Sequence, residues 1–293
     1  MDGVTIIVPV YNEERNIRNS VSELSRIAEE MTRRGTNVEI FFINDGSTDG
    51  SRRLLEEACR DTNCSLISHA VNRGYGSALK TGVRSARYDT VCITDADGTY
   101  PFQKIPELID VYRSNGNDMV VGARVNKDVH IPWIRRPAKW ILTVLASFLA
   151  GMAIPDLNSG LRVMKKSVVE KYIRLLPNGF SFTSTITLAM LTNDYNVLYV
   201  PIDYYKRSGK SKIRPIHDTL NFVQLIIRMV LYFDPLKIFL PLCLPVLTCG
   251  FLLVLYQAVI LRDIGTVSVI ITLAGIELLA IGMIADLIDK RMD

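Results

Sequence analysis

Two uncharged stretches near the C-terminal end constrain this chain more than any other feature. Ile238 to Leu261 is 24 residues without a formal charge, and Ile264 to Ala285 is 22 residues whose one charge is Glu277. A helix needs roughly 20 apolar residues to cross a bilayer. Only Arg262 and Asp263 separate the runs, so they read as a transmembrane hairpin, about residues 238–261 and 264–286 within a segment 237–288. A pair of buried core helices is the weaker reading, because two adjacent ones of this length are uncommon. The hydrophobic share is 48% of 293 residues and the mean hydropathy is +0.20. Most of that excess lies in these two runs.

The flanks give an orientation. Lys206, Arg207, Lys210, Lys212, Arg214, Arg228 and Lys237 precede the hairpin, and Lys290 and Arg291 follow it. The positive-inside rule then puts both termini in the cytoplasm of a multi-pass membrane protein. Met1 to Asp45 reads as the start of a domain, with no signal peptide. Five cysteines show no paired metal spacing, and an odd count in a cytoplasmic domain implies free thiols. The net charge of +4 is mild. No basic and aromatic array points to nucleic acid, and the basic residues near the hairpin suit anionic lipid head groups. Glu277 is costly at mid-bilayer and is expected to face another helix or a second copy of the chain, a homo-oligomer through the hairpin.

The first 212 residues alternate between two periods. Strand-like runs fall at 4–10, 38–44, 65–70, 90–94 and 118–122. Helix-like spacing fills 13–34, the stretch ending at Cys59, 75–87 and 101–114. This β-α alternation predicts a largely parallel sheet covered by helices. An amphipathic juxtamembrane helix is expected over 213–236. The uncharged stretch 140–154 is too short to span, and suits an interfacial or core helix.

The chemistry gathers at strand ends. Residues 90–97 read Thr-Val-Cys-Ile-Thr-Asp-Ala-Asp, followed by Gly98. Side chains at i and i+2 of an extended segment point the same way, so Asp95 and Asp97 can converge on one hard cation. Mg²⁺ and Mn²⁺ both meet that description. Asp45 closes the second strand and Pro9-Val-Tyr11-Asn-Glu13-Glu closes the first. Acidic strand ends on one edge suit a nucleotide whose diphosphate rides on a metal. The glycine-rich turn of a dinucleotide fold is missing after the first strand, and no Gly-Lys-Ser/Thr phosphate loop follows any strand. His69, His130 and His217 are scattered and are not expected to ligate a metal.

In these residues the chain resembles family-2 glycosyltransferases of the GT-A fold, a Rossmann-like, mostly parallel α/β architecture. The motifs are Pro9-Val-Tyr11-Asn-Glu13-Glu, Asn44-Asp45-Gly-Ser-Thr-Asp49 and Asp95-Ala-Asp97-Gly. Gly122-Ala-Arg124, Asp156-Leu-Asn-Ser-Gly-Leu-Arg162, Gly179-Phe-Ser-Phe182 and Arg207-Ser-Gly-Lys-Ser-Lys212 are similar to the polyprenyl-phosphate branch, which includes dolichol-phosphate mannose and glucose synthases. The resemblance covers about residues 3–214, a catalytic domain of 1–212. It implies transfer of a sugar from a UDP- or GDP-sugar to a polyprenyl (dolichyl-type) phosphate, with inversion, at the cytoplasmic membrane face.

Carried over by position, Pro9, Tyr11, Glu13 and Asp45 would hold the base and ribose, while Asp95 and Asp97 would hold the metal and diphosphate. Arg124, Arg207 and Lys212 would neutralise phosphates during catalysis, with Arg136 joining Arg124 and Lys212 at the acceptor phosphate. Taken without the motifs, Pro9 and Gly46 also suit plain turns, Arg124 and Arg162 surface salt bridges, and Arg207 and Lys212 lipid anchors. Two departures stand out. Dolichol-phosphate mannose synthases often carry Gln two residues after the second Asp, as a further metal ligand, and here that residue is Thr99. An acidic residue often follows the Phe-Ser-Phe type motif, and here Thr183, Ser184 and Thr185 follow.

Three rival readings fit less well. A processive polysaccharide synthase would carry Gln-x-x-Arg-Trp, whereas Gln224-Leu-Ile-Ile-Arg228-Met has one spacer too many and no Trp. An inactive membrane scaffold would have no need of intact Asp45, Asp95 and Asp97. A sugar-phosphate nucleotidyltransferase would need a glycine-rich N-terminal loop.

Overall fold

A computed structural model of the chain describes residues 3–60, 62–114, 116–124, 144, 146–148, 150–179, 181–205, 235–263 and 265–289. Two compact units emerge. The first takes in the described residues of 3–124 and 152–205, and the second those of 144–151 and 235–289. The short stretch 144–151 thus groups with the hairpin, although the sequence reading put it inside the catalytic domain.

The first unit is built on seven strands: β1 (Gly3–Val10), β2 (Asn37–Asn44), β3 (Cys64–Ser68), β4 (Thr90–Ile93), β5 (Met119–Arg124), β6 (Arg162–Lys165) and β7 (Val197–Ile202). Their order is β3-β2-β1-β4-β6-β5-β7. All neighbours run parallel except β6, which is antiparallel to both β4 and β5. The helices are α1 (Ile17–Arg33), α2 (Ser51–Ala58), α3 (Tyr75–Ser85), α4 (Ile105–Ser114), α5 (Lys166–Tyr172) and α6 (Phe182–Thr192).

The central strands are apolar on both faces because helices cover both. Val4, Ile6, Ile7, Val8, Val91, Cys92 and Ile93 are all fully buried, the pattern of a strand inside an α/β sheet. On α1 the buried positions Ile17, Val21, Leu24, Ala28 and Met31 form one stripe at helical spacing. That stripe packs into a core with Val8, Val10, Phe42 and Leu55. Gly82 of α3 lies so close to Ile7 that a Cβ there would overlap the isoleucine side chain.

Most expected elements are present, with shifted ends. The helix expected from residue 13 begins at Ile17, after a turn in which Asn12 adopts φ 54°. The helix expected over 101–114 opens with one tight turn, Phe102–Lys104, before α4. Strands β6 and β7 and helices α5 and α6 were not anticipated.

Parallel register aligns the functional edge. Val10 pairs with Asn44 and Asn44 with Ser68, while Ile7 pairs with Ile93. The segments that follow β1, β2, β3 and β4 therefore leave the sheet on one side. Ligands of open α/β sheets bind outside that side.

In the second unit, α7 (Pro235–Tyr256) and α8 (Thr266–Asp289) flank a wider turn at Gln257–Leu261. Two stretches, Phe239–Leu261 and Thr266–Ile288, are long and apolar enough to cross a membrane. Their residues are mostly exposed, with Phe251, Leu252, Ile270 and Ile284 each 57–62% accessible. That is unlike the core helix of a soluble protein and is what an apolar solvent such as lipid would cover. Gly250 abuts Thr272, Gly275 abuts Leu247 and Gly282 abuts Phe239, so small residues bring the two helices close. At the turn, Gln257 Oε1 accepts the Gly265 N–H at 2.9 Å and the Ser268 hydroxyl at 2.6 Å, which satisfies donors at the start of α8. Glu277 is exposed on the surface of this unit.

Candidate active site

The site begins with the loops after β1 and β2, which hold each other. Asn12 Oδ1 accepts the Thr48 N–H at 2.8 Å, Ser47 Oγ accepts the Asn12 N–H at 3.1 Å, and Ser51 Oγ accepts the Glu13 N–H at 2.9 Å. Glu14 Oε2 accepts the Gly50 N–H at 3.0 Å. Tyr11, Glu13 and Asp45 therefore follow strand ends in two mutually braced loops on one edge, while Pro9 lies within β1 and pairs with Ile43 of β2. Gly46 has φ 65°, and a Cβ there would overlap the backbone of Val71 and Asn72.

Asp45 is nearly inaccessible at 3% exposure. Its Oδ1 accepts the Arg73 N–H at 2.9 Å and meets His69 Nδ1 at 2.7 Å, and its Oδ2 accepts the Gly74 N–H at 2.8 Å. His69 Nε2 in turn lies 2.9 Å from Thr81 Oγ1. Asp45 thus ties the end of β2 to the turn that opens α3. Gly74 has φ 99°, and a Cβ there would run into the Asn178 carbonyl.

After β4, Asp95 and Asp97 occupy different surroundings. Asp95 is half-buried and its Oδ1 accepts the Tyr75 hydroxyl at 3.0 Å. A Cβ on Gly160 would stand 2.6 Å from Asp95 Oδ2, so only glycine lets this backbone pass beside the carboxylate. Asp97 is buried at 9% exposure, and its Oδ1 accepts the Thr99 N–H at 3.1 Å and the Thr99 hydroxyl at 2.6 Å. Burial, and then the neighbouring Asp95 charge, hold both the Tyr75 and Tyr100 phenols above their ordinary value. Both therefore stay protonated near neutrality, and the Tyr75 hydroxyl donates to Asp95.

From Asp95 a continuous set of contacts leads to Arg124. The Gly160 N–H donates to Tyr100 Oη at 2.6 Å. The Tyr100 and Tyr204 rings meet edge to face, 5.3 Å between centroids, and the Arg124 guanidinium lies 5.2 Å from the Tyr204 centroid. Arg124 grips Asp156 with two parallel bonds, Nε to Oδ2 at 2.7 Å and Nη2 to Oδ1 at 2.8 Å. Burial favours the neutral forms of both groups, but the Asp156 contact outweighs it. The Arg124 guanidinium is raised above its usual value and the Asp156 carboxyl lowered below its own. Arg124 is thus a half-buried partner of Asp156 rather than a loose surface ion pair.

Arg162 is fully buried. It donates to the Ser159 carbonyl at 2.6 and 3.0 Å, to the Thr183 carbonyl at 3.1 Å and to Thr187 Oγ1 at 2.8 Å. It fastens β6 to α6 and is no surface residue.

Arg136, Arg207 and Lys212, together with His130, His217 and the stretch 213–234, lie outside the described residues. The structure brings the β1 and β2 loops to the same edge as Asp95 and Asp97, and links the latter to Arg124. It also adds His69 and Tyr75, which sequence reasoning missed. The one signal for His69 was its position directly after β3.

Among the described residues no group of three or more His, Cys, Asp or Glu side chains could hold a metal. Mg²⁺-like ions are commonly held by one or two carboxylates, with water and substrate phosphates completing the shell. The two carboxylates that follow β4, Asp95 and Asp97, would supply oxygen donors of that kind and number.

Comparison with known proteins agrees with this arrangement. The family described as glycosyl transferase family 2 matches residues 5–173, and the GtrB C-terminal hairpin matches residues 234–290. A dolichyl-phosphate hexose transferase of Haloferax volcanii is 28% identical over 215 residues, 73% of this chain and 88% of that protein. An undecaprenyl-phosphate 4-deoxy-4-formamido-L-arabinose transferase of Pseudomonas paraeruginosa is 33% identical over 193 residues, 62% of this chain and 55% of that protein. Glucosyl-3-phosphoglycerate synthase of Mycobacterium tuberculosis, crystallised with Mn²⁺, UDP-glucose and phosphoglyceric acid, has a TM-score of 0.60 at 15% identity. The match covers 78% of this chain and 79% of that one, and the shared fold is GT-A. The processive-synthase and scaffold readings gain nothing from these relatives. This chain belongs to glycosyl transferase family 2 and carries a hairpin of the GtrB C-terminal type.

Proposed function

We propose that this chain transfers a sugar from a nucleoside-diphosphate donor to a polyprenyl (dolichyl-type) phosphate, with inversion, at the cytoplasmic face of a membrane. The observation that carries the reading is the pair Asp95 and Asp97, on the edge where β1 and β2 also end, in a chain with two exposed apolar helices of membrane-spanning length. A catalytic domain of 1–212, a juxtamembrane helix of 213–236 and a hairpin of 237–288 would divide the work. Both termini would lie in the cytoplasm, and the hairpin would support self-association.

In this reading Pro9, Tyr11, Glu13 and Asp45 form the pocket for base and ribose. Asp95 and Asp97 would hold a divalent cation, Mg²⁺ or Mn²⁺, beside the diphosphate. When bound, such an ion supplies positive charge where the departing diphosphate gains negative charge. Arg124, Arg207 and Lys212 add fixed positive charge around the two phosphate groups, and Arg136 with Lys212 and Arg124 receives the acceptor phosphate.

A phosphate monoester has its second pKa at about 6 and is mostly dianionic at neutral pH. The acceptor oxygen is therefore already a nucleophile, and no strong general base is required. Attack on the anomeric carbon forms the new carbon–oxygen bond as the bond to the diphosphate breaks, and the anomeric configuration inverts. The test is a screen of UDP- and GDP-sugars with purified full chain, polyprenyl phosphate and Mg²⁺ or Mn²⁺. A lipid-linked sugar supports the reading. Donor binding without transfer to the lipid phosphate overturns it, in favour of another acceptor or a non-catalytic scaffold.

A further inference from the structure

Thr99 stands where a glutamine ligand is expected by resemblance, and its hydroxyl has a different task. The residue is fully buried, so its side chain is turned inward. Its Oγ1 donates to Asp97 Oδ1 at 2.6 Å, and its backbone N–H donates to the same oxygen at 3.1 Å. Its carbonyl accepts the Tyr205 N–H at 2.9 Å. The backbone of Thr99 is thus held on both sides, by Asp97 and by the segment that follows β7.

The N–H bond alone is an ordinary Asx-type turn, which many Asp residues make. The hydroxyl bond goes further. The terminal torsion of an aspartate is broad and roughly two-fold, and a single bond leaves the carboxylate plane loosely defined. Two donors from one rigid residue, converging on one oxygen, define its rotation as well as its position. Hydrogen bonds that orient a ligating carboxylate typically change metal affinity by about 10–100-fold when removed.

We propose that Thr99 is a positioning residue whose hydroxyl orients Asp97, and so sets the affinity of the donor site for its divalent cation. This rests on the assignment of Asp95 and Asp97 to the metal and diphosphate. It also says how the chain manages without the glutamine: a buried second donor makes the existing carboxylate a better-ordered ligand.

The test is direct binding, separate from turnover. Mn²⁺ is titrated into purified full chain with UDP or GDP present, followed by electron paramagnetic resonance of the free ion. Thr99→Val keeps the backbone turn and removes the hydroxyl bond, and Thr99→Ser restores the hydroxyl. The half-saturating Mn²⁺ concentration rises about 10–100-fold in Thr99→Val and stays within about 3-fold of wild type in Thr99→Ser. Transfer by Thr99→Val recovers towards the wild-type kcat at saturating Mn²⁺, which a general loss of structure would not allow. If Thr99→Val does not fold, Thr99→Ala removes the same hydroxyl without placing an extra methyl in the buried site.

A Thr99→Val titration that superimposes on wild type overturns the role of Thr99 while leaving the donor site in place. Thr99→Ser binding as weakly as Thr99→Val overturns it too, since the hydroxyl would then not be the cause. Wild-type protein that binds no Mn²⁺ with either nucleotide overturns the donor-site assignment itself.

Discussion

The His69 imidazole and the Asp45 carboxylate face each other at 2.7 Å, both almost wholly buried, where β2 and β3 leave the sheet. Asp45 spends its remaining bonds on the Arg73 and Gly74 backbone N–H groups, so His69 steadies a carboxylate that in turn shapes the start of α3. In the proposed reading His69 therefore organises the donor pocket through Asp45, without itself needing to touch the nucleotide.

Removing His69 leaves Asp45 one partner short inside the protein. Such a loss costs about 1–3 kcal/mol, and each kcal/mol lowers the melting temperature of a domain this size by about 2–4 °C. His69→Ala is expected to melt earlier and to show a raised KM for the donor. His69→Asn, whose amide can donate to Asp45, should recover part of both losses. Melting curves and donor titrations of the two variants check this. Identical behaviour of His69→Ala and wild type would contradict it.

The Arg124–Asp156 pair makes a prediction about acid stability. Asp156 has a folded pKa below its ordinary 3.8, because the bonds from Arg124 outweigh the opposing effect of burial. The unfolded chain therefore binds a proton more readily than the folded one. The stabilisation from this pair is fully present above about pH 4 and is lost as pH falls through the lower folded value. Asp156→Asn should lower stability at neutral pH by about 3–5 kcal/mol, as expected for breaking a largely buried pair. Its stability should also fall less steeply below about pH 4. Melting temperature followed against pH for both proteins reads out the difference.

Much of this site was legible because strands β1, β2 and β4 are apolar runs that end abruptly in Asn44-Asp45 and Asp95-Ala-Asp97. Fully buried strands announce themselves by composition, and their ends by the first carboxylate. The hairpin was legible for the same reason, from length and absence of charge. Four elements gave no such signal, among them α5, a helix of seven residues in which only Val168, Val169 and Tyr172 are buried. β6 is four residues long and opens with Arg162, whose burial depends on carbonyls of Ser159 and Thr183 brought in by tertiary structure. Helix α6 is buried at every position from Phe182 to Leu191, so it lacks the two-sided periodicity that marks a surface helix. β7 carries Pro201, which is tolerated because the strand lies at the sheet edge. Tyr75 escaped notice because its contact with Asp95 spans 20 positions.

The loop at Gly74 separates two kinds of glycine. Gly74 and Gly35 have φ of 99° and 90°, but a Cβ on Gly74 meets the Asn178 carbonyl while one on Gly35 meets nothing within 4 Å. Gly35→Ala should carry only the backbone penalty of about 1–2 kcal/mol. Gly74→Ala should lose that and also displace Asn178 or the Asp45 bonds, with weaker donor binding. Comparable melting temperatures and donor affinities for the two variants would contradict the assignment of Gly74 to the site.

Direct displacement at the anomeric carbon predicts a product of inverted configuration. Nuclear magnetic resonance of the lipid-linked sugar, measured before it can equilibrate, reads the anomer directly. A retained configuration would require a covalent intermediate or a front-face path, neither of which this arrangement was built to explain.

Cation dependence of sugar transfer in wild type and Asp97→Ala bears most directly on the metal-holding role of Asp95 and Asp97. Purified full chain is supplied with its donor and polyprenyl phosphate, first with a chelator and then with Mg²⁺ or Mn²⁺ restored. Transfer should appear only with the cation, at a rate in Asp97→Ala lower by about 10²–10³, the scale for losing electrostatic support of a developing charge. Transfer that persists in chelator, or that proceeds at the wild-type rate in Asp97→Ala, would contradict that role.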